Sequence, residues 1–178
     1  MTDPVKFERI ESDEPYRGKL VGIRKSRYRY DDGEEADREH AVLPDAVSIV
    51  AHDGDHLFLV RQPREAVGEE ALLELPAGKL DKDGEGPLET AKRELKEEIG
   101  KAAREWIHLT TFWSSPGFCD EQAHLYLATD LYDESADSGE DERIEIVTVP
   151  LDKLDETIAE CRDAKTLIGL LWFRAYRS

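Results

Sequence analysis

The sequence has few cysteines and no long apolar run. Of its 178 residues only two are cysteine, Cys119 and Cys161, so no disulfide framework holds the chain together. No stretch reaches the ~18 consecutive apolar residues of a membrane-spanning helix, and the N-terminus lacks the apolar core of a signal peptide. We therefore expect a protein that works in the reducing cytoplasm and does not bind a membrane.

Basic charge is also scarce. Lysine and arginine total 24 against 41 aspartates and glutamates, which gives a net charge of −17. This acidity argues against a protein that coats nucleic acid, because that function needs clustered basic charge. A small anionic substrate is still compatible, provided that cations or a metal ion neutralise its site locally. Apolar residues make up 39% of the chain in short blocks, which indicates a folded protein with its own core.

The first 43 residues predict a small N-terminal domain. Residues 19–30 and 38–43 are rich in β-forming residues and flank an Asp-Asp-Gly turn, so an antiparallel β hairpin is expected there. Residues 1–17 are polar and weakly patterned. We expect a second, larger domain over residues 44–178.

Strands and helices are interspersed in the larger domain. The predicted strands are 46–51, 56–60, 72–75, 107–113, 123–131 and 144–149. The predicted helices are 87–99, 151–161 and 164–174. This mixture favours an α/β or α+β sandwich.

The helix 87–99 has a proline in its first turn and a glycine just beyond its end. Its apolar residues form one stripe, and Glu94, Glu97 and Glu98 lie about 100° away from that stripe. Glu94 and Glu98 are a like-charge i,i+4 pair near the C-terminus of the helix, where the helix dipole prefers cations. A divalent cation would make this arrangement favourable. A solvated acidic face paired with Arg93 and Lys96 explains the same spacing, so both interpretations stay open on spacing alone.

The residues before and within this helix resemble the Nudix hydrolase signature. The pattern is matched by Gly78, a six-residue spacer, Glu85, seven residues and then Arg93-Glu94-Leu95-Lys96-Glu97-Glu98-Ile99-Gly100. Two positions depart from it: the loop from Gly78 to Glu85 is one residue longer, and Lys101 stands where an apolar residue is expected. A loop insertion costs little.

Segments outside the signature resemble the ADP-ribose pyrophosphatase branch of the family. They are Leu59-Val60-Arg61-Gln62, residues 72–80, Ser115-Pro116-Gly117-Phe118 with Asp120-Glu121, the acidic residues 140–142, and residues 164–168. Pro116 falls sixteen residues after Gly100, a placement that goes with ADP-ribose in this family. Pro63 departs from the branch, which usually has an aromatic residue there.

The resemblance implies a fold and a reaction. The expected fold is a Nudix-type α/β/α sandwich with a mixed sheet, of the α/β (α+β) class, preceded by the small antiparallel hairpin domain. The expected reaction is hydrolysis of ADP-ribose to AMP and ribose 5-phosphate with Mg²⁺, for which Mn²⁺ can substitute. The alternatives are a Nudix pyrophosphatase for a nucleotide sugar or dinucleotide, and a non-catalytic module that senses ADP-ribose. The intact acidic set argues against the sensor.

The resemblance also implies roles for single residues. The implied metal ligands are the main-chain carbonyl of Ala77 and the carboxylates of Glu94, Glu98 and Glu142. The implied catalytic residues are Glu140 as the base that activates water, with Glu142 as its rival, Glu97 as an additional ligand or supporting acid, and Arg93 as the residue that orients the helix carboxylates. The candidate substrate contacts are Arg38, Arg61, Arg64 and Glu121, since arginine can bind phosphate oxygens with two parallel hydrogen bonds. Each of these arginines can equally be a surface charge.

The partners implied are a small nucleoside diphosphate and a second copy of the chain. The resemblance predicts a homodimer in which the N-terminal hairpin pairs with the partner subunit. From the sequence alone, the hairpin can equally cover its own subunit. No nucleic acid and no membrane is expected as a partner.

Overall fold

The computed structural model describes residues 4–134 and 143–177. Glu140 and Glu142 therefore lie outside the described residues. The chain divides into two compact units. The N-terminal unit comprises residues 1–44 and 113–121, and the core unit comprises residues 45–112 and 122–178.

The N-terminal unit is built on a three-stranded antiparallel sheet in the order β1-β2-β3, with β1 (Phe7–Arg17), β2 (Gly22–Tyr30) and β3 (Glu35–Val42). The predicted hairpin is confirmed as β2 and β3. β1, which the sequence analysis did not assign, pairs with β2 along its length. Nearly every side chain of β1 is exposed, so the strand has no alternation of buried and exposed residues that its sequence could show.

The core unit is built on a seven-stranded mixed sheet. Its strands are β4 (Ala46–His52), β5 (His56–Arg64), β6 (Glu69–Glu74), β7 (Ala77–Lys79), β8 (Lys101–Trp113), β9 (Gln122–Asp133) and β10 (Glu145–Pro150). The order is β10-β5-β4-β9-β8, with β6 paired to β5 and β7 paired to β4. The pair β4 and β9 is parallel, whereas β4 runs antiparallel to β5 and β7.

Three helices complete the core unit: α1 (Pro87–Ile99), α2 (Leu154–Glu160) and α3 (Ala164–Arg177). Two short 3-10 turns, Glu65–Val67 and Leu151–Lys153, precede β6 and α2. The predicted helix 151–161 therefore begins as a 3-10 turn. No helix within the described ranges is long and apolar enough to cross a membrane.

The two faces of the sheet carry separate cores. On one face, Leu95 and Ile99 of α1 pack with Val47 of β4 and with other buried residues. On the opposite face, Leu170 and Phe173 of α3 belong to a second cluster with further sheet residues. The sheet thus lies between helices, which confirms the predicted α/β/α sandwich.

The signature helix begins and ends where the sequence predicts. Gly86 precedes it with an extended backbone, and Pro87 occupies its first turn, where no main-chain donor is needed. At the other end Gly100 has a φ of 65° and donates its N–H to the carbonyl of Lys96, at 3.0 Å. A left-handed residue there is favourable for glycine and ends the helix at Ile99.

Candidate active site

The acidic residues of α1 are not a solvated face. Glu94 and Glu98 are each only 9% exposed, and Glu97 is partly buried. The interpretation as a solvated acidic face is therefore wrong for Glu94 and Glu98. Burying two carboxylates on one helix is unfavourable unless cations or hydrogen-bond donors compensate them.

Arg93 supplies part of this compensation. Its Nη1 donates to Oε1 of Glu94 at 2.6 Å and to Oε2 of Glu97 at 2.7 Å, and its Nε donates to the carboxylate of Glu85 at 3.1 Å. Desolvation alone would lower the pKa of the Arg93 guanidinium, but the carboxylates around it outweigh this and raise the pKa above its ordinary value. Arg93 is thus a permanent cation among three carboxylates. Its Nη2 is buried without a hydrogen-bond partner among the described residues.

Glu85 is a structural residue to which the sequence reasoning gave no role. It lies in the loop before α1 and accepts hydrogen bonds from Arg93 and from Oγ1 of Thr90. Desolvation raises the pKa of the Glu85 carboxyl, but these hydrogen bonds outweigh that effect and hold the pKa below its ordinary value. Glu85 therefore fastens the loop to the helix as an ionised partner of Arg93. The fixed spacing of Glu85 within the signature was the available signal.

Strand β7 lies directly against the two buried carboxylates. The main-chain N–H of Ala77 donates to Oε2 of Glu98 at 3.0 Å. A Cβ added at Gly78 would lie 2.0 Å from Cδ of Glu94, so only glycine leaves room for this side chain. β7 is itself held by β4, where Gly78 pairs with Val47. Three of the predicted metal-ligating residues, Ala77, Glu94 and Glu98, are therefore brought together by the fold.

The donor set suits a hard divalent cation. Buried carboxylate oxygens beside a main-chain segment are the ligand types that Mg²⁺ takes, together with water and substrate oxygens. The part of the chain that the structure describes contains no group of three or more His, Cys, Asp or Glu arranged to hold a metal ion. Glu97, the third acid of the helix, is engaged by Arg93. The remaining predicted ligand, Glu142, lies outside the described residues.

Arg64 has a carboxylate partner within the core unit. Its Nε donates to Oε1 of Glu74 at 2.6 Å, and its Nη2 donates to Oε2 at 2.5 Å. Glu74 is only 3% exposed, and the sequence reasoning did not identify it. The hydrogen bonds to Glu74 raise the pKa of Arg64, and the negative charge of Glu98 adds to this effect. The signal that was available is an acid within the apolar run Leu72–Leu75, since a buried acid requires a cation.

The remaining predicted substrate contacts are divided between the units. Arg61 is an exposed residue of β5 in the core unit. In the N-terminal unit, Nη2 of Arg38 donates to the hydroxyl of Tyr30 at 3.1 Å. Glu121 is partly buried in the same unit, and its main-chain carbonyl accepts the N–H of Ser114 at 3.1 Å.

The N-terminal unit contains an aromatic cavity of about 580 Å³. Its lining combines aromatic rings with charged and small residues: Phe7, Tyr28, Tyr30, Arg38, Glu39, His40, Trp113, Pro116, Gly117, Cys119 and Asp120. The loop 113–121 is joined to β3 by hydrogen bonds, among them that from the N–H of Ala41 to the carbonyl of Phe118 at 2.7 Å. Aromatic faces beside an arginine can stack on a planar base and bind an anionic group. The sequence analysis predicted Arg38 as a substrate contact but did not predict Phe7, Tyr28 or Tyr30 beside it.

Comparison with known proteins gives one consistent family. The NUDIX domain family matches residues 42–168. The ADP-ribose pyrophosphatase of Bacillus subtilis (strain 168) is 36% identical, over 93% of this chain and 91% of that protein. The ADP-ribose pyrophosphatase of Mycobacterium tuberculosis (strain ATCC 25618 / H37Rv) is 41% identical, over 70% of this chain and 60% of that protein. A crystal structure of an ADP compounds hydrolase superposes with a TM-score of 0.85 at 27% identity and covers 96% of this chain and 94% of that one.

Proposed function

The chain belongs to the Nudix hydrolase family, and from that premise we propose that it hydrolyses the pyrophosphate bond of ADP-ribose to give AMP and ribose 5-phosphate, with Mg²⁺ as its metal ion. The observation that carries the proposal is the pair of buried carboxylates, Glu94 and Glu98, held on α1 against the backbone of β7. A module that only binds its ligand has no use for such a pair.

The metal ligands in this proposal are the carbonyl of Ala77 and the carboxylates of Glu94, Glu98 and Glu142. Bound Mg²⁺ would neutralise phosphoryl oxygens and lower the pKa of a bound water; Mn²⁺ can supply the same chemistry. The hydrogen bond from the N–H of Ala77 supports Glu98 as a ligand, since it fixes one carboxylate oxygen and so orients the other.

Proton transfer is assigned to the acidic loop. We assign Glu140 as the base that takes a proton from the attacking water, with Glu142 as the rival candidate. Glu97 assists from the helix, where Arg93 holds its carboxylate beside that of Glu94. Arg93 acts as a positioning residue, because its fork spaces the helix carboxylates and neutralises part of their charge.

Substrate recognition is assigned to residues of both units. The aromatic cavity with Arg38 supports an adenine nucleotide as the ligand of the N-terminal unit. In the core unit, Arg64 donates two hydrogen bonds to Glu74. Because a guanidinium carries five N–H groups, its other donors can bind a phosphate oxygen. Arg61 and Glu121 complete the proposed contacts.

We further propose that the enzyme is a cytoplasmic homodimer. Phe7 and Tyr16 of β1 are 65% and 58% exposed, and β1 is an edge strand of its sheet. An exposed edge strand with apolar side chains is a surface on which a second chain can pair. Both cysteines are free thiols, which suits a reducing compartment. Light scattering should give twice the mass of the chain, and a monomer at all concentrations would refute the dimer.

Incubation with ADP-ribose tests the activity. The wild type is compared with and without Mg²⁺, beside Glu98→Gln, which keeps the shape of the side chain and an acceptor for the N–H of Ala77 but removes the charge. Glu89→Gln is the matched control, since Glu89 is an exposed acid of the same helix. We expect AMP and ribose 5-phosphate from the wild type and the control with Mg²⁺, and from neither protein without it, whereas Glu98→Gln is inactive.

Two results would contradict the proposal. An unchanged ADP-ribose peak in the wild type with Mg²⁺ would end it, and a panel of nucleotide sugars and dinucleotides would then identify the substrate. Full activity of Glu98→Gln would remove the carboxylate from the metal set.

A further inference from the structure

Two histidines of the core unit converge on one atom. Nε2 of His108 on β8 lies 2.9 Å from Oγ1 of Thr111, and Nδ1 of His124 on β9 lies 3.0 Å from the same oxygen. The other ring nitrogen of His124 faces Oδ2 of Asp45 at 3.9 Å. None of these residues has a role in the proposed hydrolysis.

An irregularity in β8 creates this arrangement. Leu109 and Phe112 both pack against the core on the α3 side of the sheet, although residues three apart in a regular strand point to opposite faces. Thr111 likewise follows His108 by three residues, yet its hydroxyl lies within hydrogen-bond distance of the His108 ring. This departure from strict alternation places the Thr111 hydroxyl between the two imidazoles.

The hydrogen bonds alone do not account for the arrangement. A hydroxyl has one proton, so Thr111 can donate to only one of the two rings and must accept from the other. His108 and Thr111 are exposed, so these hydrogen bonds compete with water and contribute little to stability. Asp45 is fixed by the N–H of Gln122, which donates to its Oδ1 at 2.9 Å. At 3.9 Å the carboxylate of Asp45 is too far from His124 for a direct hydrogen bond, but its negative charge lies beside the ring and favours a bound cation.

We propose that His108 and His124 form a binding site for a divalent transition-metal ion such as Zn²⁺ or Cu²⁺. Imidazole nitrogen is a preferred ligand of these ions, whereas Mg²⁺ prefers oxygen, so this site and the acidic helix take different metals. The ion lies between the two ring nitrogens, which lose their hydrogen bonds to the Thr111 hydroxyl and move to a metal–nitrogen distance of about 2.1 Å. The negative charge of Asp45 favours the cation, and water completes the coordination.

Calorimetric titration of the full chain without an affinity tag tests the site, with Zn²⁺ as the probe and excess Mg²⁺ present throughout. We expect one ion per chain for the wild type and no binding for His108→Gln or His124→Gln. His56→Gln is the matched control, because His56 is also a surface histidine of this unit and lies beside an aspartate, Asp53. That control should bind Zn²⁺ like the wild type.

Two further variants separate a metal site from a hydrogen-bonded pair of rings. Thr111→Ala removes the competing hydroxyl and should bind Zn²⁺ at least as tightly as the wild type. Asp45→Asn keeps the acceptor for Gln122 but removes the charge and should weaken binding about 10-fold. The spectrum of bound Cu²⁺ should show coupling to two nitrogen ligands, and urea unfolding without metal shows whether each variant is folded.

Three results would overturn the proposal. They are no saturable binding by the wild type, equal binding by the wild type and both histidine variants, and loss of binding in a folded Thr111→Ala protein. Because every readout is binding or spectroscopy rather than hydrolysis, these results are independent of the proposed reaction.

Discussion

Replacing Gly78 by alanine should disrupt the acidic helix without removing any of its carboxylates. An added Cβ at Gly78 would lie 2.0 Å from Cδ, 2.1 Å from Oε1 and 2.2 Å from Cγ of Glu94. Real Cβ atoms do not approach other atoms so closely. Either the side chain of Glu94 leaves its place or β7 moves away from α1.

The cost can be estimated from the contacts at risk. Overpacking a well-packed site costs about 1–3 kcal/mol, and a hydrogen bond to a charged group contributes about 1.5–3 kcal/mol. The bond at risk joins Arg93 to Oε1 of Glu94, and both side chains are largely buried. Since Glu94 relieves part of the clash when it rotates, the two costs do not add fully, and we expect a loss of about 2–4 kcal/mol in the free energy of unfolding.

Activity should fall further than stability. A bound metal ion contributes several kcal/mol to the stabilisation of transition-state charge, and about 2.7 kcal/mol corresponds to a 100-fold change in rate. We therefore expect Gly78→Ala to lose at least about 100-fold in kcat/KM for ADP-ribose and to need more Mg²⁺. Urea unfolding and the Mg²⁺ dependence of hydrolysis measure the two effects.

Gly86→Ala is the control for this experiment. Gly86 directly precedes α1, its φ is −86°, and the nearest atom to an added Cβ is Oε2 of Glu89 at 3.9 Å. This variant should keep the Mg²⁺ dependence of the wild type. Wild-type stability together with wild-type Mg²⁺ dependence in Gly78→Ala would refute the placement of Glu94 against β7.

Three further predictions concern buried contacts and pH. Thr166→Val should lower the free energy of unfolding in urea by about 1–3 kcal/mol, because the buried main-chain N–H of Leu75, which donates to Oγ1 of Thr166 at 2.8 Å, loses its acceptor. An unchanged urea midpoint would contradict this prediction. Arg64→Ala should destabilise the protein by about 1–3 kcal/mol because Glu74 stays buried without its cation, and the double variant with Glu74→Leu should recover stability. The pKa of the Glu134 carboxyl lies below its ordinary value near 4.5, chiefly because Lys96 donates a hydrogen bond to it. The stabilising effect of Glu134 is therefore present above pH 4.5 and is lost as the pH falls through the lower pKa of the folded state. The difference in the free energy of unfolding between the wild type and Glu134→Gln should vanish in acid. A difference that stays constant with pH would exclude this linkage.

The helix that carries the site was predictable because its start and end are both marked in the sequence. Pro87 and Gly100 bound α1, and an apolar stripe lies between them. β1 was not predictable, since an exposed strand of the N-terminal unit has no buried face to impose a period of two. β8 begins at Lys101 rather than Ile107 for a related reason, because three of its first six residues are charged and only Ala102 among the six is buried.

The acids of the site were predictable from their spacing, but their burial was not. The spacing along α1 is compatible with both a solvated acidic face and a metal site for Glu94 and Glu98. The position of β7 against α1 decides between the two. β7 reaches α1 through its pairing with β4, and such a long-range pairing leaves no local signal in the sequence. Glu74 and Arg64 were missed as a pair for the same reason, since the register shift between Gln62 and Arg64 and the turn that joins β5 to β6 set their distance.

The guanidinium of Arg93 affects how metal binding and folding of the enzyme are related. It is an internal counterion, and it neutralises part of the repulsion among Glu85, Glu94 and Glu97 whether or not a metal ion is bound. Folding of the helix therefore does not require bound Mg²⁺, unlike the folding of small domains that depend on a structural zinc ion. We therefore predict that a chelator abolishes hydrolysis without unfolding the protein, and that an ion in the proposed site would exchange with the surrounding solution. Catalytic output would then follow the free Mg²⁺ concentration while the amount of folded protein stays constant.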